Sequence, residues 1–392
     1  MKFDNQLRIA VQIIHDYSGE IPLHTWLKNF FQKNSQMGSN DRKQVSSMVF
    51  SYYRLGHAVK EITTEDRVLT GVFLTTNSEN QFLKYFKPGW ESFITDSIEQ
   101  KIEQCLQSGI SFDLSKIFPW QNEMSTGITF AEFCKSFLIQ PDLFIRIRPG
   151  FEDQVKSKLS KHRIAYKELQ VSSLQLPKAT PVDKILELNK EAVIQDLSSQ
   201  MTGDFFSLPE AINQKDARAW DCCAASGGKS ILLHDRFPEL NITASDIRQS
   251  ILINLRKRLS EAGISKYESF VADLTKPLPN LAELRQPFEL LLMDAPCSGS
   301  GTWSRNPEEL FFFKKERIGY FRDLQEHIFS RAISRLKSNG ILIYITCSVF
   351  HQENEGMVRF IRESTGLELL QSKLIKGYAD KADTMFVASL RA

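Results

Sequence analysis

The sequence contains no apolar run near the ~20 residues that a helix needs to cross a bilayer. Its start is no secretory leader either, because Asp4 and Asp16 interrupt a helical pattern and no small-residue cleavage site follows. An excess of one charge sign is also missing. Lys and Arg number 49 against 47 Asp and Glu, for a formal net charge of +2, so no global field announces a polyanionic partner. Any nucleic-acid contact has to come from local patches. Cysteine is scarce, with six residues (Cys105, Cys134, Cys222, Cys223, Cys297 and Cys347) and no disulfide-like or CxxC spacing. Reduced thiols of a cytoplasmic protein are expected. No further Cys or His has ligand spacing, so no metal site is expected.

What is present belongs to a globular chain: 392 residues, 42% hydrophobic and 24% charged, enough for two or three domains. Residues 1–140 are expected to be helical. Leu7, Ala10, Val11 and Ile14 fit one helical face, as do Leu23, Trp26, Leu27 and Phe30, and Val45, Met48, Val49 and Tyr52. Pro22 and Gly38 punctuate the pieces. Residues 141–200 change character: LFIRIRP is strand-like, GFEDQVKSKLSKHRI helical, and LQVSSLQL and AVIQDL extended, which predicts a small α+β module. Its Arg146, Arg148, Lys156, Lys158, Lys161 and Arg163 are either a solvated face or an RNA-facing patch.

From residue 201 to 392, strands and helices alternate. ARAWDCC, NITASDI, SFVADL, FELLLMDAP and GILIYITCS read as strands. In the helix FRDLQEHIFSRAISRLKSNG, Leu324, Ile328, Ala332 and Leu336 line one face and Gly340 supplies a stop. The pattern predicts a doubly wound, mostly parallel Rossmann-like sheet, whose ligands lie beyond the carboxyl ends of the strands.

Every unusual cluster of this half falls at such an end. Asp221-Cys-Cys-Ala-Ala-Ser-Gly-Gly-Lys229 offers a small-residue turn that a ligand can approach closely. It is not a Walker loop, because Cys223 stands where a glycine is needed, and it lacks the full GxGxxG. Asp246 and Asp273 end the next two strands. Each alone is readable as a cap or turn residue, but three such ends in succession point to a pocket for a nucleoside-type cofactor. Asp294-Ala-Pro-Cys-Ser-Gly-Ser-Gly301 forms a rigid loop that presents Cys297 beside Asp294, and Thr346-Cys347-Ser348 follows ILIYI directly. Two thiols on neighbouring strand ends are structural, a metal pair, or chemistry. His234 and His351 read as ordinary polar residues. Trp303, Arg305 and Phe311-Phe-Phe-Lys-Lys315 either stack on bases and bind phosphates or pack between elements.

DCCAASGGKS, DAPCSGSG and TCS, in this order and spacing, resemble the Sun/RsmB/NOL1-NOP2 family of RNA (cytosine-C5) methyltransferases, nearest its bacterial small-subunit ribosomal RNA branch. IQDLSSQ at 194–200 and the ending DTMFVASLRA extend that likeness. DRKQVSSMVFSYYRLGHAV, with Asp41, Arg42 and Arg54, is similar to the helical NusB-type RNA-binding domain of the bacterial enzymes. The resemblance implies S-adenosyl-L-methionine as cofactor and RNA as partner, ribosomal before transfer RNA, with no membrane and no obligate protein partner. It further implies that Cys223, Ala224, Ala225, Ser226, Gly227, Gly228 and Lys229 wrap the methionine moiety, that Asp246 takes the ribose, and that Asp273 lies near the adenine. Asp294 would face both cofactor and base, Cys347 would be the nucleophile, and Cys297 the helper in product release. The chain departs from the family in two places. Ser226 stands where Pro is usual, which predicts a looser loop, and Arg146-Ile-Arg148 replaces an RxN pattern, which weakens the case for RNA contacts there. A methyltransferase acting on an exocyclic amine would instead need an Asn/Asp-Pro-Pro-aromatic loop, and an idle assembly factor would not need both thiols.

Overall fold

The structure is a computed structural model that describes every residue except 1, 60, 210 and 211. The chain forms two compact units: residues 1–122, 128–140 and 302–315 make the first, and 123–127, 141–301 and 316–392 the second.

The first unit is helical. It contains α1 (Phe3–Asp16), α2 (Leu23–Lys33), α3 (Ser39–Arg54), α4 (Thr64–Thr75), α5 (Gln81–Phe86), α6 (Ile98–Gln107), α7 (Phe130–Ser136) and α12 (Pro307–Phe312). The predicted apolar faces form, each rotated slightly: Leu7, Ala10, Ile13 and Ile14 are buried on α1, Leu23, Leu27 and Phe31 on α2, and Val45, Met48, Val49 and Tyr53 on α3. Val11, Trp26, Phe30 and Tyr52 lie at the margins. Ser97 and Gln100 close a capping box on α6, and Thr63 caps α4 by accepting from Asp66 N. Gly71 lets α4 cross close to α3, because a Cβ there would sit 2.3 Å from the Ser51 carbonyl oxygen. Arg54 is buried and donates to the carbonyl of Phe137 at 2.9 Å, while Asp41 accepts from Gln6 and Arg42 donates to Met37 O. These three residues of the helical motif are therefore engaged in holding the bundle.

The second unit has two sheets. The smaller one, in order β2-β3-β1-β4, is antiparallel and consists of β1 (Leu143–Ile147), β2 (Lys167–Gln170), β3 (Ser173–Leu176) and β4 (Ala192–Ile194). Ile145 and Ile147 face Val155 and Leu159 of α8 (Glu152–Lys161) in one apolar cluster. A short helix, α9 (Leu197–Met201), leads onward. The larger sheet comprises β5 (Arg218–Asp221), β6 (Asn241–Asp246), β7 (Tyr267–Val271), β8 (Phe288–Asp294), β9 (Leu336–Thr346), β10 (Glu368–Lys376) and β11 (Thr384–Arg391), with α10 (Gly228–Arg236), α11 (Gln249–Glu261), α13 (Arg317–Ala332) and α14 (Glu355–Thr365) between strands. Its order is β10-β11-β9-β8-β5-β6-β7, with β5 to β9 parallel and the β10–β11 hairpin antiparallel on β9. The chain direction across the sheet reverses at β5, where β6 lies on one side and β8 on the other. That is the switch point at which ligands of such sheets bind.

Three details depart from the sequence reading. The helix carrying Leu324 and Ile328 ends at Ala332, and Leu336 already belongs to β9, where it pairs with Phe288. Gly340 is not the helix stop. It sits inside β9 after Asn339, whose φ is +64°, at an irregularity in the register with β8. Sheet pairing, which local periodicity does not report, wins that boundary. The hairpin β10–β11 was also not expected as two strands, although its second arm holds DTMFVASLRA.

Candidate functional site

The site is assembled from the loops beyond β5, β6, β8 and β9. The first, Asp221 to Gly228, turns sharply: Ala225 has φ +45° and Gly227 φ +82°. Its backbone is tied down on three sides. Ala224 N donates to Ser245 O at 2.9 Å, Ala225 N to Asp246 Oδ2 at 3.1 Å, and Arg258 donates to Ser226 Oγ and O at 2.9 and 3.1 Å. Ser226 in place of proline therefore does not loosen the loop, because a guanidinium holds it instead. Asp221 is fully buried beneath the loop. Its Oδ2 accepts from Ser230 Oγ at 2.6 Å, and its Oδ1 has no partner among the described residues. Burial pushes this carboxyl up to about 7, against the pull of the Ser230 hydrogen bond.

Asp246 is nearly buried at the end of β6, and its Oδ1 accepts from Arg248 N and Nε at 2.9 and 3.1 Å. Asp273 lies just past β7 and organises its own turn. Its Oδ1 accepts from Thr275 Oγ1 and N at 2.6 and 3.1 Å, and Lys276 is 3.3 Å away. The hydrogen bonds from Thr275 hold its carboxyl below the usual range. Asp294 ends β8 and pairs with Lys229 Nζ at 2.7 Å. Burial works against the Lys229 charge, but Asp294 more than offsets it and Cys347 adds to that, so its pKa rises.

Two sulfurs lie side by side at the neighbouring strand ends. Cys297 Sγ and Cys347 Sγ are 3.2 Å apart, and Cys347 N is 3.3 Å from Cys297 Sγ. The hydrogen bond with Cys347, burial and the Glu353 charge all push the Cys297 thiol well up. The loop from Ala295 to Gly301 is laced to β9 by Ala295 N to Ile345 O and Gly301 N to Cys347 O, both 2.9 Å. Only glycine fits at 301, since a Cβ would come 1.9 Å from Thr384 O. By contrast, Cys105 and Cys134 are wholly buried in the helical unit, and burial pushes each up to about 12. Those two are packing residues.

Several participants were not anticipated. Glu353, fully buried, accepts from Ser298 N at 2.8 Å, Ser348 Oγ at 2.7 Å and Gln325 Nε2 at 3.1 Å. Asn354 accepts from Thr346 Oγ1 at 2.5 Å and donates to Ser348 O at 2.9 Å. In the sequence both read only as polar residues before a helix.

One expectation is corrected and one open alternative is decided. Arg146 and Arg148 do not form a basic surface: both are buried, and they bond Asp235 of α10 at 2.5 and 2.7 Å. Lys156 and Lys158 of the same run are paired with Glu168 and Glu191. The aromatic run packs rather than offering a platform. Phe311 stacks on His57 and meets Tyr53 edge-on, Phe312 meets Tyr17, and Phe313 packs on Trp303, all within the helical unit.

Comparisons with known proteins agree with this architecture. The protein PH0851 superposes over 99% of this chain and 98% of its own, with TM-score 0.71 and 18% identity. A methyltransferase homologue from Pyrococcus horikoshii covers 74% of this chain and 98% of its own, with TM-score 0.58 and 22% identity. These likenesses show the fold, a helical N-terminal region with a Rossmann-like methyltransferase sheet. In sequence, the ribosomal RNA small subunit methyltransferase B of Xanthomonas campestris is 29% identical over 198 residues, 49% of this chain and 43% of that protein. The chain thus matches less than half the length of that curated relative. Residues 211–390 match the family described as 16S rRNA methyltransferase RsmB/F.

Proposed function

We propose that the protein methylates C5 of a cytosine in RNA, 16S ribosomal RNA before transfer RNA, using S-adenosylmethionine, with Cys347 as nucleophile. The observation that carries this reading is the pair of sulfurs 3.2 Å apart beyond the neighbouring ends of β8 and β9, at the same edge as the Lys229–Asp294 ion pair. The match of residues 211–390 to the family described as 16S rRNA methyltransferase RsmB/F supports the substrate class.

The donor set fits the cofactor. Carboxylates at Asp221, Asp246 and Asp294 on adjacent strand ends suit a ligand that carries hydroxyl groups and positive charge, and Asp221 Oδ1 is a buried acceptor with no partner among the described residues. Cys223 to Lys229 would hold the methionine part, Asp246 the ribose and Asp273 the adenine end, with Asp294 between cofactor and base. When bound, the cofactor supplies an electrophilic methyl group on a sulfonium.

The protein's own task is to make C5 of cytosine nucleophilic. The Cys347 thiolate forms a bond to C6, and the C5–C6 electron pair moves into the ring, leaving C5 enamine-like. The two sulfurs share a hydrogen bond in which either can donate. A positive setting favours a thiolate, and Lys229, paired with Asp294, is a cation of this site. Asp294 is suited to the N3 edge as charge develops there. Once C5 carries its methyl group, loss of the C5 proton and cleavage of the sulfur–C6 bond restore the ring, with Cys297 assisting release. The base has to leave its stack to reach the thiols, which favours a loop or flipped nucleotide.

The test is transfer of labelled methyl from S-adenosylmethionine to unmodified 16S ribosomal RNA, with transfer RNA as the parallel substrate. Cys347→Ala is expected to abolish transfer, and full activity in that variant would sink the assignment. Cys297→Ala is expected to accumulate an RNA–protein adduct stable to denaturing gels. Normal turnover without trapped species would remove Cys297 from the release step.

A further inference from the structure

We propose that Glu353 is a positioning residue of the thiol site, whose carboxylate clamps the Cys297 loop onto the Cys347 loop and so sets how the two sulfurs face each other. The kinetic part of this inference rests on the function proposed above; the geometric part does not.

Glu353 is 0% exposed. A buried carboxylate is costly unless its lone pairs are used, and an apolar side chain would fill the same volume at lower cost. Here the lone pairs are divided between the two loops. Oε2 accepts from Ser298 N, the residue after Cys297, and Oε1 accepts from Ser348 Oγ, the residue after Cys347. Gln325 of α13 reinforces the clamp by donating both to Oε2 and to Pro296 O, each at 3.1 Å. Tyr344 of β9 donates to the Gln325 side chain at 3.0 Å and to the Glu353 carbonyl at 2.7 Å. Around the carboxylate the hydroxyls of Ser298, Ser300 and Ser348 lie 3.1–3.2 Å from one another. Val349 N and Phe350 N are bound to Ser300 Oγ and Ser348 Oγ at 2.9 and 3.0 Å. Each cysteine is thus followed by a serine whose position Glu353 fixes. The sulfur contact and the bond from Cys347 N to Cys297 Sγ depend on that frame.

Because the clamp is a network of hydrogen bonds and not a packing contact, the amide replacement is informative. In Glu353→Gln the side-chain oxygen still accepts from Ser298 N and Gln325, while the NH2 group donates to Ser348 Oγ, whose own proton turns to a neighbouring hydroxyl. Glu353→Ala takes the carboxylate acceptor from Ser298 N and Ser348 Oγ and leaves Gln325 Nε2 with Pro296 O alone.

The experiment alkylates the full chain with iodoacetamide and reads Cys297, Cys347 and Cys223 separately by peptide mass spectrometry. In Glu353→Ala, Cys297 is expected to react about tenfold faster than in the unaltered protein, with Cys223 unchanged. Glu353→Gln, which keeps the frame but removes the charge that also holds the Cys297 thiol up, should rise clearly less than Glu353→Ala. With unmodified ribosomal RNA, Glu353→Ala should lose on the order of 100-fold in kcat, leave KM for S-adenosylmethionine nearly unchanged, and trap RNA adduct as Cys297→Ala does. Unchanged Cys297 alkylation in Glu353→Ala overturns the proposal. So does a parallel rise at Cys223, Cys297 and Cys347 with a fallen melting temperature, which marks a merely structural residue. If Glu353→Ala does not fold, Gln325→Leu, which removes the side chain that braces Glu353 Oε2 and Pro296 O, serves in its place with the same expected pattern at smaller size. Absence of methyl transfer in the unaltered protein would sink the proposed function, while the alkylation pattern would still decide the clamp.

Discussion

At the scale of single residues, the carboxyl of Asp221, beneath the loop after β5, is strongly perturbed by burial. Burial holds it at about 7, whereas an unfolded Asp titrates near ~3.9. Between those values the folded chain keeps a proton that the unfolded chain has released. This contribution is fully present below about pH 4 and is lost as pH rises through about pH 7, at about 1.4 kcal/mol per pH unit and roughly 4 kcal/mol in all. Asp221→Asn keeps an oxygen for the Ser230 hydroxyl and has no proton to lose. Melting followed by circular dichroism at about pH 5 and pH 7.5 should therefore show a smaller fall in Tm for Asp221→Asn than for the unaltered protein. Burial also raises Glu308 and Glu353, which act with the same sign and leave part of the slope in both proteins. Equal slopes would return Asp221 to the ordinary carboxylate range. The thiols show what a sequence can and cannot display at this scale. Cys297 and Cys347 stand out because each follows an apolar strand. Glu353 does not, because its three donors come from three separate stretches of chain and nothing near position 353 announces them.

Among elements, the tie between β1 and α10 matters most for stability. Arg146 of β1 and Arg148 just past its end alternate with Ile145 and Ile147, and among the described residues Asp235 is the carboxylate that bonds both guanidiniums. Arg148 also donates to Asn189 O and Ala262 O, so the pair joins the small sheet to the methyltransferase sheet. Removing the carboxylate leaves two buried cations without a counter-charge, which costs about 3–5 kcal/mol. Urea denaturation of Asp235→Ala should register that loss as a lower midpoint, and a cost under about 1 kcal/mol would mean that water reaches the pair. The alternation in LFIRIRP was enough to put both arginines on one face. It was not enough to say that α10 covers that face, since the covering helix comes some ninety positions later. For the same reason the end of α13 was placed too late: Leu336 continues the helical period, but its pairing with Phe288 of β8 makes it strand.

At the scale of the molecule, the two units are not contiguous in sequence. The segment 302–315 leaves the methyltransferase fold directly after the Cys297 loop, folds with the helical unit, and returns before α13. Its apolar side chains are built for that unit. Trp303, Leu310 and Phe313 are nearly fully buried, and Phe311 and Phe312 pack on Tyr53. A chain cut down to residues 141–392 would keep this segment and lose Tyr17, Tyr53 and Trp120, on which it packs. An aromatic side chain buries roughly 150–250 Å² each, so the uncovered surface exceeds the few hundred Å² that monomeric proteins usually expose. The truncated chain should therefore self-associate in size-exclusion chromatography and bind a hydrophobic dye strongly, whereas the full chain should not. Replacing Leu310, Phe311, Phe312 and Phe313 by serine within the truncated chain should restore a monomer. A monodisperse, dye-silent truncation would contradict this reading. So would a serine-substituted one that aggregates as strongly, because it would trace the association to a methyltransferase sheet that does not fold without the helical unit.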